Sequence, residues 1–179
     1  MNEPAVAVAD GGLGFWAALP EVWPQTKAQL CWLHKMRNIL DKLPQKERAE
    51  AAKSLRAIYL ARNKAEAERL AKGLTAQWSK SYTKAAECLL QALPRLLTFF
   101  AFPPEHSRHL RTTNVIESVF ARVRLRTNAA KRFRTARSGV HLVFKLLERC
   151  EKSWQRLSHP ERLKEVRLPQ RQMERKEAA

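Results

Sequence analysis

The sequence predicts a mostly helical α/β chain, in which a short βαβα opening runs into an all-α body. Three observations carry that reading. Residues Ala5 to Ala9 read Ala-Val-Ala-Val-Ala and stop at Asp10-Gly11-Gly12, and a short apolar run closed by glycines suits a buried strand. From residue 45 to residue 104 the apolar side chains recur at helical spacing instead. The last third keeps that spacing but becomes dense in arginine.

After the first strand, Gly14 to Leu19 suits a helix ending before Pro20, and Lys27 to Trp32 suits a second strand. That strand leads into a helix from about His34 to Leu43, closed by Pro44. Ala51, Leu55, Ile58 and Tyr59 then lie on one helical face. Asn63 followed by Glu66 has the spacing of a capping box, and Ala67, Leu70, Leu74 and Trp78 continue that helix. A third segment from Tyr82 carries Ala86, Leu89, Leu90 and Leu93. Pro94 should kink or restart it before Leu96, Leu97 and Phe100 lead to the Pro103-Pro104 stop. A further helix opens at Asn114 with Ile116, Val119, Phe120 and Val123 as its buried stripe. An amphipathic helix from Ser138 closes the pattern with Val140, Val143, Phe144, Leu147 and Trp154. The expected organisation is a βαβα piece over 1–44, a helical insert over 45–104, a basic helical part over 105–157, and a structureless charged tail over 158–179.

At 179 residues the chain is the size of one ordinary domain. Its net charge of +17 makes the surface strongly electropositive. Nucleic acid is the default partner of such a surface, because each neutralised phosphate releases counterions. A solubility surface or an anionic membrane would also tolerate it. Three cysteines without regular spacing suit free thiols in a reducing cytosol. No stretch approaches the roughly 18 apolar residues of a membrane span, and the opening has no basic leader. A cytoplasmic protein is the expectation.

Two carboxylates stand out. Asp10 sits where a buried strand should emerge, a good place to hold a divalent metal; taken alone, an ordinary Asp-Gly turn is the simpler account of it. Glu117 is the only acid between Ser107 and Arg137, amid Arg108, Arg111, Arg122, Arg124, Arg126, Lys131, Arg132, Arg134 and Arg137. It also lies three residues after Asn114, which is capping-box spacing. Cys31-Trp32-Leu33-His34 has half of a zinc-site spacing and no second half. His106 and His109 flank the basic segment as candidate phosphate or solvent contacts. The preponderance of arginine there favours phosphate-backbone binding, since guanidinium grips phosphate oxygens in pairs.

Three stretches taken together resemble bacterial Mutator-type insertion-sequence transposases. They are Ala9-Asp10-Gly11-Gly12-Leu13-Gly14-Phe15-Trp16-Ala17-Ala18-Leu19, then Cys31-Trp32-Leu33-His34-Lys35 leading to Leu43-Pro44, then Arg111-Thr112-Thr113-Asn114-Val115-Ile116-Glu117-Ser118-Val119-Phe120. Phe144-Lys145-Leu146 and Lys152-Ser153-Trp154 fit the same pattern, so the resemblance extends to about Leu157. It implies an α/β remnant of an RNase H-like fold carrying an all-α insertion. It also implies an Asp-Asp-Glu site in which Asp10 matches the second aspartate and Glu117 the glutamate, with Cys31 and His34 as active-site support. The chemistry so implied is metal-dependent cleavage and joining of DNA, with two Mg²⁺ ions about 4 Å apart. Arg108, Arg111, Arg122, Arg124, Arg126, Lys131, Arg132 and Arg134 would grip the insertion-sequence ends and target DNA of a homo-oligomeric enzyme near the nucleoid. Nothing before Asp10 matches the first aspartate of the family, Glu3 being the only acid there. The expectation is therefore a carboxy-terminal portion that does not cut DNA alone. The other expectations open at this point are a non-catalytic DNA-binding product that regulates the full-length enzyme and, as a weaker case, a basic helical module for RNA or protein.

Overall fold

The computed structural model describes residues 3–166, in two compact units. The first comprises the chain up to Thr112 together with the chain from His159; the second is Thr113–Ser158.

In the first unit, β1 (Val6–Ala9) and β2 (Lys27–Leu30) pair in parallel, in register from Val6↔Lys27 to Ala9↔Leu30. The Cys31 N–H extends the ladder by donating to the Ala9 carbonyl at 2.8 Å. Parallel strands need a crossover, supplied here by α1 (Leu13–Val22). Pro20 does not end α1, contrary to expectation, but lies inside it. It withholds the N–H that would reach the Trp16 carbonyl. The helix survives because only two residues follow, and Trp23 N–H closes it on Leu19 O at 2.8 Å. β2 is shorter than expected, for Trp32 already opens α2 (Trp32–Leu40).

The helical body consists of α3 (Arg48–Tyr59), α4 (Lys64–Trp78) and α5 (Thr83–Leu96), packed in sequence and against α2. Trp32, Ile39, Leu55, Ile58, Leu89, Leu96 and Phe99 are fully buried in a single core, each aliphatic one contributing about 1.5–3 kcal/mol of burial. Asn63 caps α4 as expected, its Oδ1 accepting Glu66 N–H at 2.9 Å. The Glu66 carboxylate reaches Arg62 N–H, one residue before the cap. Pro94 is absorbed into the last turn of α5, and the chain then tightens into a 3₁₀ turn at Thr98–Ala101.

A buried glutamine fastens this body to the strand pair. Gln29 on β2 accepts Phe99 N–H at 2.7 Å and donates to the carbonyls of Leu96 at 3.0 Å and Leu30 at 2.8 Å. The Trp32 indole donates to the same Leu96 carbonyl at 2.8 Å, and Thr98 Oγ1 to Ala28 O at 2.8 Å. The two bonds to Leu96 satisfy a carbonyl that the end of α5 would otherwise leave bare.

From Pro103 a 3₁₀ turn and α6 (Ser107–Leu110) follow. The segment expected to be structureless from residue 158 returns to this unit. His159 O meets His106 Nε2 at 3.0 Å, and Arg162 pairs with Glu105 and, at 2.8 Å, with Glu165. His106 is thus buried rather than a solvent contact. The remainder of that expected tail, 167–179, lies outside the described residues.

The second unit is a hairpin of α7 (Asn114–Ala130) and α8 (Ala136–Glu151). Lys131 turns the chain with φ of 57°, and Thr135 caps α8 through Ser138 N–H at 3.1 Å. The Phe133 ring lies close over Gly139, where a Cβ would stand 3.2 Å from it, so a larger residue there would push the ring by a few tenths of an ångström. The apolar stripes read from sequence are only partly buried. Val123 and Cys150 are inside, whereas Ile116, Phe120, Val140, Phe144 and Trp154 are exposed. Two paired helices offer one seam, which is too narrow for stripes of that width.

Candidate functional site

Parallel pairing brings the chain after β1 and the chain after β2 to the same edge. Asp10 follows β1 directly, and Cys31 follows β2, bonded across to Ala9. The carboxyl edge of a parallel sheet is where α/β proteins present ligand-binding groups. Asp10 is exposed, its Oδ1 accepts Gly12 N–H at 3.1 Å, and its carbonyl accepts the Trp16 indole N–H at 2.7 Å. The first of these bonds is the Asp-Gly turn that the sequence allowed; the second has no sequence signature.

Cys31 is the N-cap residue of α2, and its buried Sγ lies 3.2 Å from Nδ1 of His34, three residues on. A helical turn sets that spacing, so the Cys-x-x-His stretch forms a local pair. The edge therefore carries a carboxylate, a thiol and an imidazole within one unit.

Arg111 ends α6, and its carbonyl accepts the first N–H of α2, Trp32 N–H, at 2.9 Å. Its guanidinium lies 4.9 Å from the Phe99 ring centroid and 5.7 Å from that of Tyr59. Burial lowers its pKa, and Nε is buried without a hydrogen-bond partner. Arg108 beside it is exposed. His109 also titrates low, first from burial and then from the charges of Arg108 and His106.

Glu117 belongs to the second unit, in the first turn of α7. Thr113, not Asn114, is the N-cap residue, so the expected capping box does not form. The Thr113 hydroxyl donates instead to the Glu117 carboxylate, and Glu117 N–H donates to Thr113 O at 3.1 Å. Arg122, Arg124, Arg126, Lys131, Arg132 and Arg134 are all exposed on this unit, with Arg122 donating to Ser153 Oγ at 2.6 Å. Among the described residues no single helix is long and apolar enough to cross a membrane.

Strand-edge carboxylate, helical body and arginine-rich hairpin together define a basic helical protein with a small parallel α/β element. Residues 1–157 match the family model of the Mutator family of transposases. The transposase for insertion sequence element IST2 of Acidithiobacillus ferrooxidans is 42% identical over 160 residues, covering 89% of this chain and 54% of that protein. The transposase for IS6120 of Mycolicibacterium smegmatis is 39% identical over 160 residues, covering 89% of this chain and 50% of that protein. The transposase for ISRM5 of Rhizobium meliloti (strain 1021) is 32% identical over 149 residues, covering 83% and 37%. The chain belongs to the Mutator family of transposases, and it spans about half the length of the first two of these relatives.

Proposed function

We propose that this chain serves DNA transposition, carrying part of a metal-dependent Asp-Asp-Glu site on a remnant of an RNase H-like fold. The observation that carries the reading is Asp10 at the carboxyl edge of the parallel pair, beside Cys31 and His34. The donors fit magnesium, because carboxylate oxygens are the hard ligands it takes. By the resemblance to the family, Asp10 and Glu117 are each candidate ligands of the metal, which when bound would lower the pKa of the attacking hydroxyl or water and offset charge on the phosphate. Gly12 N–H restrains the Asp10 carboxylate, and the Thr113 hydroxyl restrains that of Glu117. Arg122, Arg124, Arg126, Lys131, Arg132 and Arg134 hold the DNA backbone of insertion-sequence ends and target, in an oligomer acting in the cytoplasm at the nucleoid. Arg108, exposed on the first unit, is a further candidate phosphate contact.

A third carboxylate is not supplied by the other aspartate, Asp41, which pairs with Arg48 at 3.4 Å at the end of α2. On this reading the chain by itself binds DNA without cutting it, and it would act with, or against, one of the longer transposases of the family. Incubating it with insertion-sequence-end DNA and Mg²⁺ or Mn²⁺ should give retention without nicking. Robust cleavage lost in Glu117→Gln would refute this.

A further inference from the structure

We infer that Trp16, backed by Arg95, is a positioning residue for Asp10, an inference that rests on reading Asp10 as a metal ligand. Asp10 stands at an exposed turn followed by two glycines, so its backbone needs an external restraint if the carboxylate is to stay at the strand edge. That restraint comes from α1. The Trp16 indole Nε1–H donates to the Asp10 carbonyl at 2.7 Å, while Gly12 N–H holds the carboxylate at 3.1 Å. One bond fixes the main chain of the residue and the other its side chain.

The indole is itself held from two sides. Phe15 meets it edge-on with centroids 5.0 Å apart, and the guanidinium of Arg95 lies 5.6 Å from its centroid. Arg95 belongs to the last turn of α5, where Gln29 and Trp32 of the strand region tie down the Leu96 carbonyl. The helical body thus braces the turn after β1 through a cation–π contact, and Trp16 converts that brace into a hydrogen bond on the candidate ligand. Partners that orient a metal ligand commonly govern affinity about 10–100-fold.

The test uses Mn²⁺ on the full chain. A Trp16→Phe substitution keeps an aromatic ring and deletes the N–H, which also assigns the Trp16 indole signal in a ¹H–¹⁵N spectrum by its disappearance. In the unsubstituted protein that signal should resist hydrogen exchange and broaden on adding Mn²⁺; Asp10→Asn should remove the broadening. Mn²⁺ affinity, read by electron paramagnetic resonance, should fall about tenfold in Trp16→Phe, and less in Arg95→Gln, which should speed exchange of the indole proton. Adding Trp16→Phe to Asp10→Asn should cause no further loss. If Asp10→Asn leaves Mn²⁺ binding and broadening intact, the metal reading falls and this inference with it. If Asp10→Asn weakens binding while Trp16→Phe, folded by circular dichroism, binds as before, the metal reading stands and the positioning role is overturned.

Discussion

Replacing Gln29 with leucine asks whether its two hydrogen bonds to Leu96 and Phe99 fasten the helical body to the strand pair. The side chain is wholly buried, and leucine has nearly its volume, so packing changes little. Phe99 N–H would lose its acceptor, and a buried orphan donor costs about 1–3 kcal/mol. The Leu30 carbonyl would lose its Gln29 donor, whereas the Leu96 carbonyl keeps the Trp32 indole at 2.8 Å. Each lost bond of this kind is worth about 0.5–1.5 kcal/mol, partly offset by the apolar gain of leucine. The expected loss is about 2–4 kcal/mol, a large share of the roughly 5–15 kcal/mol of a typical domain. Urea unfolding followed by far-ultraviolet circular dichroism measures it. With a slope near ~2 kcal/mol/M the midpoint should drop by about 1–2 M, without change of slope. A loss within about 0.5 kcal/mol, typical of a surface site, would refute the reasoning.

Other outcomes follow from the same contacts. Asn63→Ala removes the cap of α4 and should cost about 1 kcal/mol in the same urea assay. The Glu105 carboxyl titrates below its ordinary 4.5, first through backbone N–H donation and also through Arg162. A depressed carboxyl contributes stability that is full above the ordinary value and lost as pH falls through the lowered one. Signals from residues 159–166 should therefore shift toward an undocked state on acidification below pH 4.5, and Arg162→Met should undock them at neutral pH. Neutralising Arg124 and Arg126 together should flatten the slope of log affinity for duplex DNA against log salt by about 1.8, as each phosphate contact contributes about 0.9. An unchanged slope would remove both residues from the interface.

The residues that announced themselves in the sequence did so through local rules. A strand ending at Asp10, the Asn63 cap, the helical stripes around Leu55, Leu74 and Leu89, and the Cys31–His34 spacing each depend on a few neighbouring residues, and each is found at its expected place. Pro20 misled because proline two residues before a helix end removes a bond without breaking the helix. Asn114 misled because the helix begins one residue earlier than a cap there requires: Thr113 stands at the N-cap position, and its hydroxyl donates to the Glu117 carboxylate instead of capping a backbone N–H. Arg111 reads as one more cation in a basic run, yet its guanidinium stacks on Phe99 and Tyr59.

Sequence alone thus determined the helical body, the βαβα opening and the carboxylates worth testing, because periodicity, capping and charge are properties of short stretches. Only the tertiary structure decided that Gln29 is a buried fastening, that Trp16 donates to the Asp10 carbonyl with Arg95 behind it, and that His159 returns to His106. Most of these contacts join residues from separate elements. Even Trp16, six positions from Asp10, reaches it only because the chain reverses at the glycines and runs back as α1. A hydrogen bond depends on distances of a few ångströms, which no pattern along the chain fixes until the chain has folded.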